Sequence, residues 1–171
     1  QAPPPPPAPA ATKALVVDGA GHGLGRSAGK IKVATGTPPL KLCLILVAEL
    51  KKLKEAAIFS APVDPVDAPD YHEVIKQPMD LGTMFKRLKE GEKSEWAAGT
   101  YAHPKAVLKD LKRVWANCRT YNEVGTPIYN LADPMEGEMK RLWTELGLVE
   151  HAPLVDKKRD RASGGGGGGA A

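Results

Sequence analysis

Apolar residues recur at helical spacing in four separate stretches between Pro39 and Leu146, and no convincing strand alternation appears. The first stretch places Leu40, Cys43, Leu46, Val47, Leu50, Leu53 and Ala57 on one face, with Lys51, Lys52 and Glu55 on the other. Leu44, Ile45 and Val47 widen that face, which predicts a helix of about five turns, buried on more than one side. The second stretch follows Asp80, whose carboxylate can accept from the free amides of a first helical turn; Leu81, Met84, Phe85 and Leu88 face inward. The third runs from about Pro104 to Tyr121 through Val107, Leu108, Leu111, Val114, Trp115 and Cys118. The fourth begins near Thr126-Pro127, continues through Ile128, Leu131, Met135, Met139, Leu142 and Leu146, and stops at Gly147. Amphipathic helices bury their stripes against one another, so the pattern predicts an all-α, antiparallel four-helix bundle. Pro134 lies inside the fourth helix and removes its hydrogen bond to Asn130; a kink or a late helix start is expected.

The connections are unequal. Between the first and second helices lies FSAPVDPVDAPDYHEVIKQP, about twenty residues with prolines at 62, 65, 69 and 78. A loop that long inside a compact domain is usually functional. Its prolines lower its unfolded entropy, so it can hold a shape without ladder hydrogen bonds. Phe59, Val63, Val66, Tyr71, Val74 and Ile75 supply apolar anchors. Residues 91–100, GEKSEWAAGT, read as a solvent loop with Trp96 packing back on the bundle.

The ends differ in kind. Residues 1–11 read QAPPPPPAPAA and residues 164–169 are six glycines, neither able to bury enough apolar surface to offset ordering entropy. The expected organisation is a disordered Pro/Gly-rich linker over 1–37, one domain over 38–147, and a disordered basic and Gly-rich tail over 148–171. The net charge of +4 belongs to the ends: +3 over 1–37 and +2 over 151–171, against −1 for 38–150. A near-neutral domain argues against direct nucleic-acid binding by the folded part. Cys43 and Cys118 both sit on apolar stripes, which predicts buried thiols rather than a disulfide. The longest apolar run, Leu42–Ala48, is too short to span a bilayer, and the N-terminus carries prolines where a secretory signal has a basic and apolar region.

Catalytic constellations are lacking. His22, His72, His103 and His151 are scattered, no His/Cys cluster has metal-ligand spacing, and no nucleophile-base pair can be argued. The expectation is a non-catalytic module without cofactor or metal. Gly23, Gly25 and Ala28 fit a loose dinucleotide pattern, but Thr35, Gly36, Pro38 and Pro39 stand where its helix should follow, so a linker is the better reading.

One constellation carries chemistry. The run RVWANCRTYNEVGTPIY (113–129) ends an apolar helix on an uncharged amide, Asn122, beside Tyr121 and just before a turn. With the upstream F-x-x-P-V-D, PDY, VIK and PMDL segments it resembles the bromodomain, over about 110 residues from Pro38 to Gly147. That resemblance implies a left-handed four-helix bundle that binds acetyl-lysine. Asn122 would donate to the acetyl carbonyl, and Tyr71 would reach it through a bridging water. Phe59, Pro62, Val63, Val66, Cys118 and Tyr121 would line the pocket, Ile128 would guard its mouth, and Asn117 would tie a helix to loop backbone. The implied partners are acetylated histone tails or other acetyl-lysine proteins, the implied place the nucleus, and the implied context a larger chromatin protein. The chemistry agrees: an acetylated lysine is an apolar stem ending in a neutral amide, and Asn supplies a donor without a charge. Asp64, Asp67, Asp70, Glu73 and Glu123 fall in the long loop or beside Asn122, as steering charges for basic tails or as turn and cap residues.

The chain also departs from the family. Ala57-Ile58-Phe59 stands where Trp-Pro-Phe is common, which predicts a wider, more open groove. It also supports a rival reading, a bromodomain-like scaffold without acetyl-lysine binding. His72 takes the place of a frequent second tyrosine and reads as an exposed loop residue.

Overall fold

In a computed structural model of the protein, which describes residues 31–96 and 100–154, the four stripes form four long helices. Helix α1 spans Pro39–Leu50, a single-turn helix α2 spans Tyr71–Val74, and α3, α4 and α5 span Leu81–Lys93, Pro104–Tyr121 and Pro127–Glu145. Short 3-10 segments cover Lys54–Phe59 and Leu148–Glu150, and no strand occurs among the described residues.

Local chemistry sets the helix ends. Asp80 Oδ1 accepts from the Thr83 amide at 2.7 Å and Oδ2 from the Thr83 hydroxyl at 2.6 Å, capping α3. His103 Nδ1 caps α4 by accepting from the Ala106 amide at 3.3 Å, and Thr126 Oγ1 accepts from Tyr129 at 3.4 Å to start α5. Gly147 leaves α5 at φ 71°, a left-handed conformation that a residue without Cβ adopts readily. Pro134 does not delay α5, which starts at Pro127 and contains it.

The first helix is shorter than its stripe. It stops at Leu50, and Leu53 takes extended backbone before the 3-10 turn. The break shifts the register: Ala56 and Phe59 are buried, and Ala57, expected inside, is exposed. Phe59 thereby meets Trp115 of α4 edge to face, 5.2 Å between ring centroids, an arrangement aromatic quadrupoles favour.

Helix α1 is the hub, in contact with α3, α4 and α5. Its Leu42, Leu44, Leu46, Val47 and Leu50 are all buried, and full burial of such a side chain contributes roughly 1.5–3 kcal/mol. Cys43 is buried with them, which pushes its thiol up to about 12 and keeps it neutral. Trp96 packs back as expected, its ring lying over Gly91. Packing continues past the expected limits at 38 and 147. Leu148 and Ala152 are buried, Trp143 Nε1 donates to the Ala152 carbonyl at 2.9 Å, and Lys112 Nζ donates to that of Leu154 at 3.1 Å. Upstream, the Ile31 amide donates to Glu145 Oε1 at 2.9 Å. The polyproline run, the glycine pattern at 23–28, the basic cluster at 157–161 and the glycine tail lie outside the described residues.

Candidate functional site

The long connection lies against the C-terminal end of α4 and is fastened there at a few points. Asn117 Nδ2 donates to the Gln77 carbonyl at 2.9 Å, which joins α4 to loop backbone. The Tyr121 hydroxyl donates to Asp70 Oδ1 at 2.7 Å. Tyr121 also meets the Tyr71 ring near-perpendicular at 4.9 Å. Ala68, Tyr71 and Ile75 form a small buried cluster, with Val63 and Tyr121 packed against it. At the loop's start, the Ser60 carbonyl approaches Gly82 so closely that a Cβ there would lie 2.2 Å from it. Glycine is required by that close approach.

Between loop and helix is a cleft of about 230 Å³. Phe59, Pro62 and Val63 come from the loop side, Cys118, Tyr121 and Asn122 from the end of α4, Tyr71 from α2 and Ile128 from the first turn of α5. Val66, expected in the lining, is not there and is 85% exposed. The reason is a turn at Asp64. Its carbonyl accepts from the Asp67 and Ala68 amides, and its side chain from the Val66 amide at 2.8 Å. This turn points Val66 to solvent and leaves Ala68 buried. Val74, expected as an anchor, is likewise 45% exposed.

The lining also contains Ile58, Ala61, Ala68, Met79 and Val114, which were not expected there. Val114 lies one turn before Cys118, so its place on the α4 stripe was a usable signal. Ile58 occupies part of the wall where Trp-Pro is common, while Ala57 faces water. Ile128 stays in the lining despite Pro134 six residues further along α5.

Asn122 ends α4 in extended backbone, φ −94° and ψ 145°. Its Nδ2 donates to the Cys118 carbonyl at 2.8 Å. Nδ2 also donates to Cys118 Sγ at 3.8 Å; sulfur is a weak acceptor that a carbonyl oxygen can replace, and the Oδ1 acceptor is left for a ligand. The Cys118 thiol donates to the Ile128 carbonyl at 3.3 Å, and burial pushes it up to about 11, so it is neutral at pH 7. Burial, with smaller contributions from Cys118 and Asp80, also holds the Tyr71 hydroxyl above the ordinary tyrosine range. Among the described residues no lysine, arginine or histidine lines the cleft; Asp64, Asp67 and Asp80 contribute to its lining, and the Asp80 carboxylate is engaged in capping α3. The arrangement suits a neutral amide on an apolar stem; a buried ammonium here would lose its hydration.

Fold and site define a helical bundle with a mostly apolar cleft between its long loop and the end of α4, lined in part by the uncharged polar side chains of Asn122 and Tyr71. The chain belongs to the bromodomain family, whose family model, "Bromodomain", matches residues 43–134. It is 33% identical over 136 residues to the SWR1 complex bromodomain subunit bdf1 of Schizosaccharomyces pombe, covering 75% of this chain and 22% of that protein. It is 32% identical over 130 residues to transcription factor GTE3, chloroplastic, of Arabidopsis thaliana, covering 75% and 25%. Among solved structures it matches the second bromodomain of Candida albicans Bdf1, bound to an imidazopyridine. That match has a TM-score of 0.54 and 30% identity, over 63% of this chain and 99% of the other. The chain thus spans about a quarter or less of the curated relatives' length. Relatives of this kind are chromatin-complex subunits and transcription factors, and the bromodomain itself is a binding module.

Proposed function

We propose that the protein is a chromatin reader that binds acetylated lysine in histone tails, through Asn122 and Tyr71 in the lining of the cleft. The observation that supports this reading is the Asn122 amide, held to the Cys118 carbonyl, with its other Nδ2 contact made only to the weakly accepting Cys118 sulfur, in an apolar slot. One such hydrogen bond contributes about 1 kcal/mol net. Discrimination against unmodified lysine rests on desolvation, since an unpaired buried ammonium costs at least several kcal/mol. The folded unit, from about 31 to 154, acts without catalysis and without binding nucleic acid directly, as a nuclear module of a larger chromatin protein. Avidity from linked modules then matters, because a slot this small supports modest affinity.

The test is titration of acetylated and unacetylated histone-tail peptides. Acetylated peptide should bind about a hundredfold or more tighter. Asn122→Ala should weaken acetyl-peptide binding about fivefold. The missing Trp-Pro favours the rival scaffold reading, while Ile58 in the lining opposes it. Equal binding of the two peptides, or an Asn122→Ala protein that binds as well as wild type, would hand the case to the scaffold.

A further inference from the structure

The two most exposed large apolar side chains among the described residues are Val66, at 85%, and Val124, at 82%. Each stands on one of the two loops that border the cleft. Val66 neighbours Asp67, which lines it, and Val124 is two residues from Asn122. Their Cα atoms therefore lie within roughly 4–8 Å of lining residues along the chain.

Both valines are presented on ordered turns. The Asp64 side chain and carbonyl hold the first turn through Val66, Asp67 and Ala68. In the second, the Thr126 amide and hydroxyl both donate to the Glu123 carbonyl, at 3.1 and 2.8 Å. Asn130 Nδ2 donates to the Gly125 carbonyl at 3.1 Å, with Gly125 at φ 86°. Neither valine packs on the core, so its apolar surface gains only when a partner covers it.

Charge indicates what that partner is. Asp64, Asp67, Glu73 and Glu123 enter no ion pair among the described residues, whereas Glu92, Asp110 and Glu136 on the helices are all paired. Among the described residues no basic side chain lines the cleft to repel a cationic ligand.

We infer that this rim selects extended, basic peptides in which an aliphatic residue directly flanks the acetyl-lysine. The inference rests on the acetyl-lysine reading of the cleft. Successive residues of an extended peptide advance about 3.3–3.6 Å, so a residue beside a seated acetyl-lysine falls at lip distance. Its aliphatic side chain covers a valine while basic residues further out meet the unpaired carboxylates.

The full chain is titrated with three probes. One is Nα-acetyl-Nε-acetyl-lysine methylamide. The others are two acetyl-lysine peptides with identical basic residues, carrying leucine or serine on both sides of the acetyl-lysine. Wild type should bind the leucine peptide about fivefold tighter than the serine peptide. In the Val66→Ser, Val124→Ser double variant that preference should fall to about twofold or less, with methylamide affinity unchanged. Equal binding of the two peptides by wild type, or a preference that survives in the double variant, overturns the inference alone. Failure of every acetyl-lysine probe removes the reading of the cleft and this inference with it. Sedimentation showing wild-type self-association that the double variant loses would assign the valines to a second copy, and also overturns it.

Discussion

In α1 only five of twelve residues escape burial, while between Ser60 and Met79 only Ala68, Tyr71 and Ile75 are buried. The two regions are therefore held by different means. The bundle is fastened by apolar area, spread over so many side chains that each is one contribution among several. The loop is fastened at points: Asn117 to Gln77, Tyr121 to Asp70, and the Ser60 carbonyl against Gly82. A region held by points can change shape at its rim while the bundle stays folded. That separates what holds the bundle together from what shapes the rim of the cleft.

Damage to the hub should show the largest effect. Leu46→Ala removes a fully buried side chain from α1 and should cost about 2–5 kcal/mol in denaturant unfolding, with the slope unchanged. Acetyl-peptide affinity of the folded fraction should stay within about twofold, because Leu46 does not line the cleft. A loss below about 1 kcal/mol would break the view of α1 as the hub.

Gly82→Ala strikes the seam between the regions. Its Cβ would meet backbone, which cannot rotate away, so a loss of about 1–3 kcal/mol is expected. Unlike Leu46→Ala it should also weaken acetyl-peptide binding, since the displaced loop begins next to Phe59 and Pro62.

Asn117→Ala should cost about 0.5–1.5 kcal/mol. Its signature is local: hydrogen exchange should accelerate in residues 62–78 and remain slow in α1. Equal acceleration in both would mean that loop and bundle open as one unit.

Tyr121→Phe should have the smallest effect, about 1 kcal/mol or less at neutral pH. Its sharper reading is alkaline. Burial, then the hydrogen bond to Asp70 and that residue's charge, push the Tyr121 hydroxyl up to about 12. The protonated form is favoured in the folded state. Its stabilisation is complete below the unfolded value near pH 10 and is lost as pH rises through about 12. Stability measured across that window should fall in wild type by a step that Tyr121→Phe lacks.

The same contrast explains what was legible. Helix α4 runs from Pro104 to Tyr121 as its stripe predicted, because helical periodicity is written by neighbours three and four residues apart. Asn117 reaches loop backbone, as the family resemblance implied, and Asn122 ends the helix just before a turn, as the run 113–129 suggested. The loop offered no period to read. Val66 and Val63 are both apolar and three residues apart, yet one faces water and the other the cleft, a choice made by the Asp64 turn. The stripe of α1 ran on to Ala57 on paper, but the chain breaks after Leu50, and Phe59 gains the Trp115 ring.

By itself, then, the sequence determined four amphipathic helices, a long proline-stiffened connection, an uncharged amide at the end of an apolar helix and a near-neutral domain. Each is a property of residues close in the chain or of simple composition. Tertiary structure alone decided which loop side chains enter the cleft, that Ile58 replaces part of its wall, and that Ala152 closes over Trp143. It also set the two valines on the rim. These outcomes depend on contacts such as Asn117 with Gln77, forty residues apart, whose energies exist only once the bundle has brought the partners together.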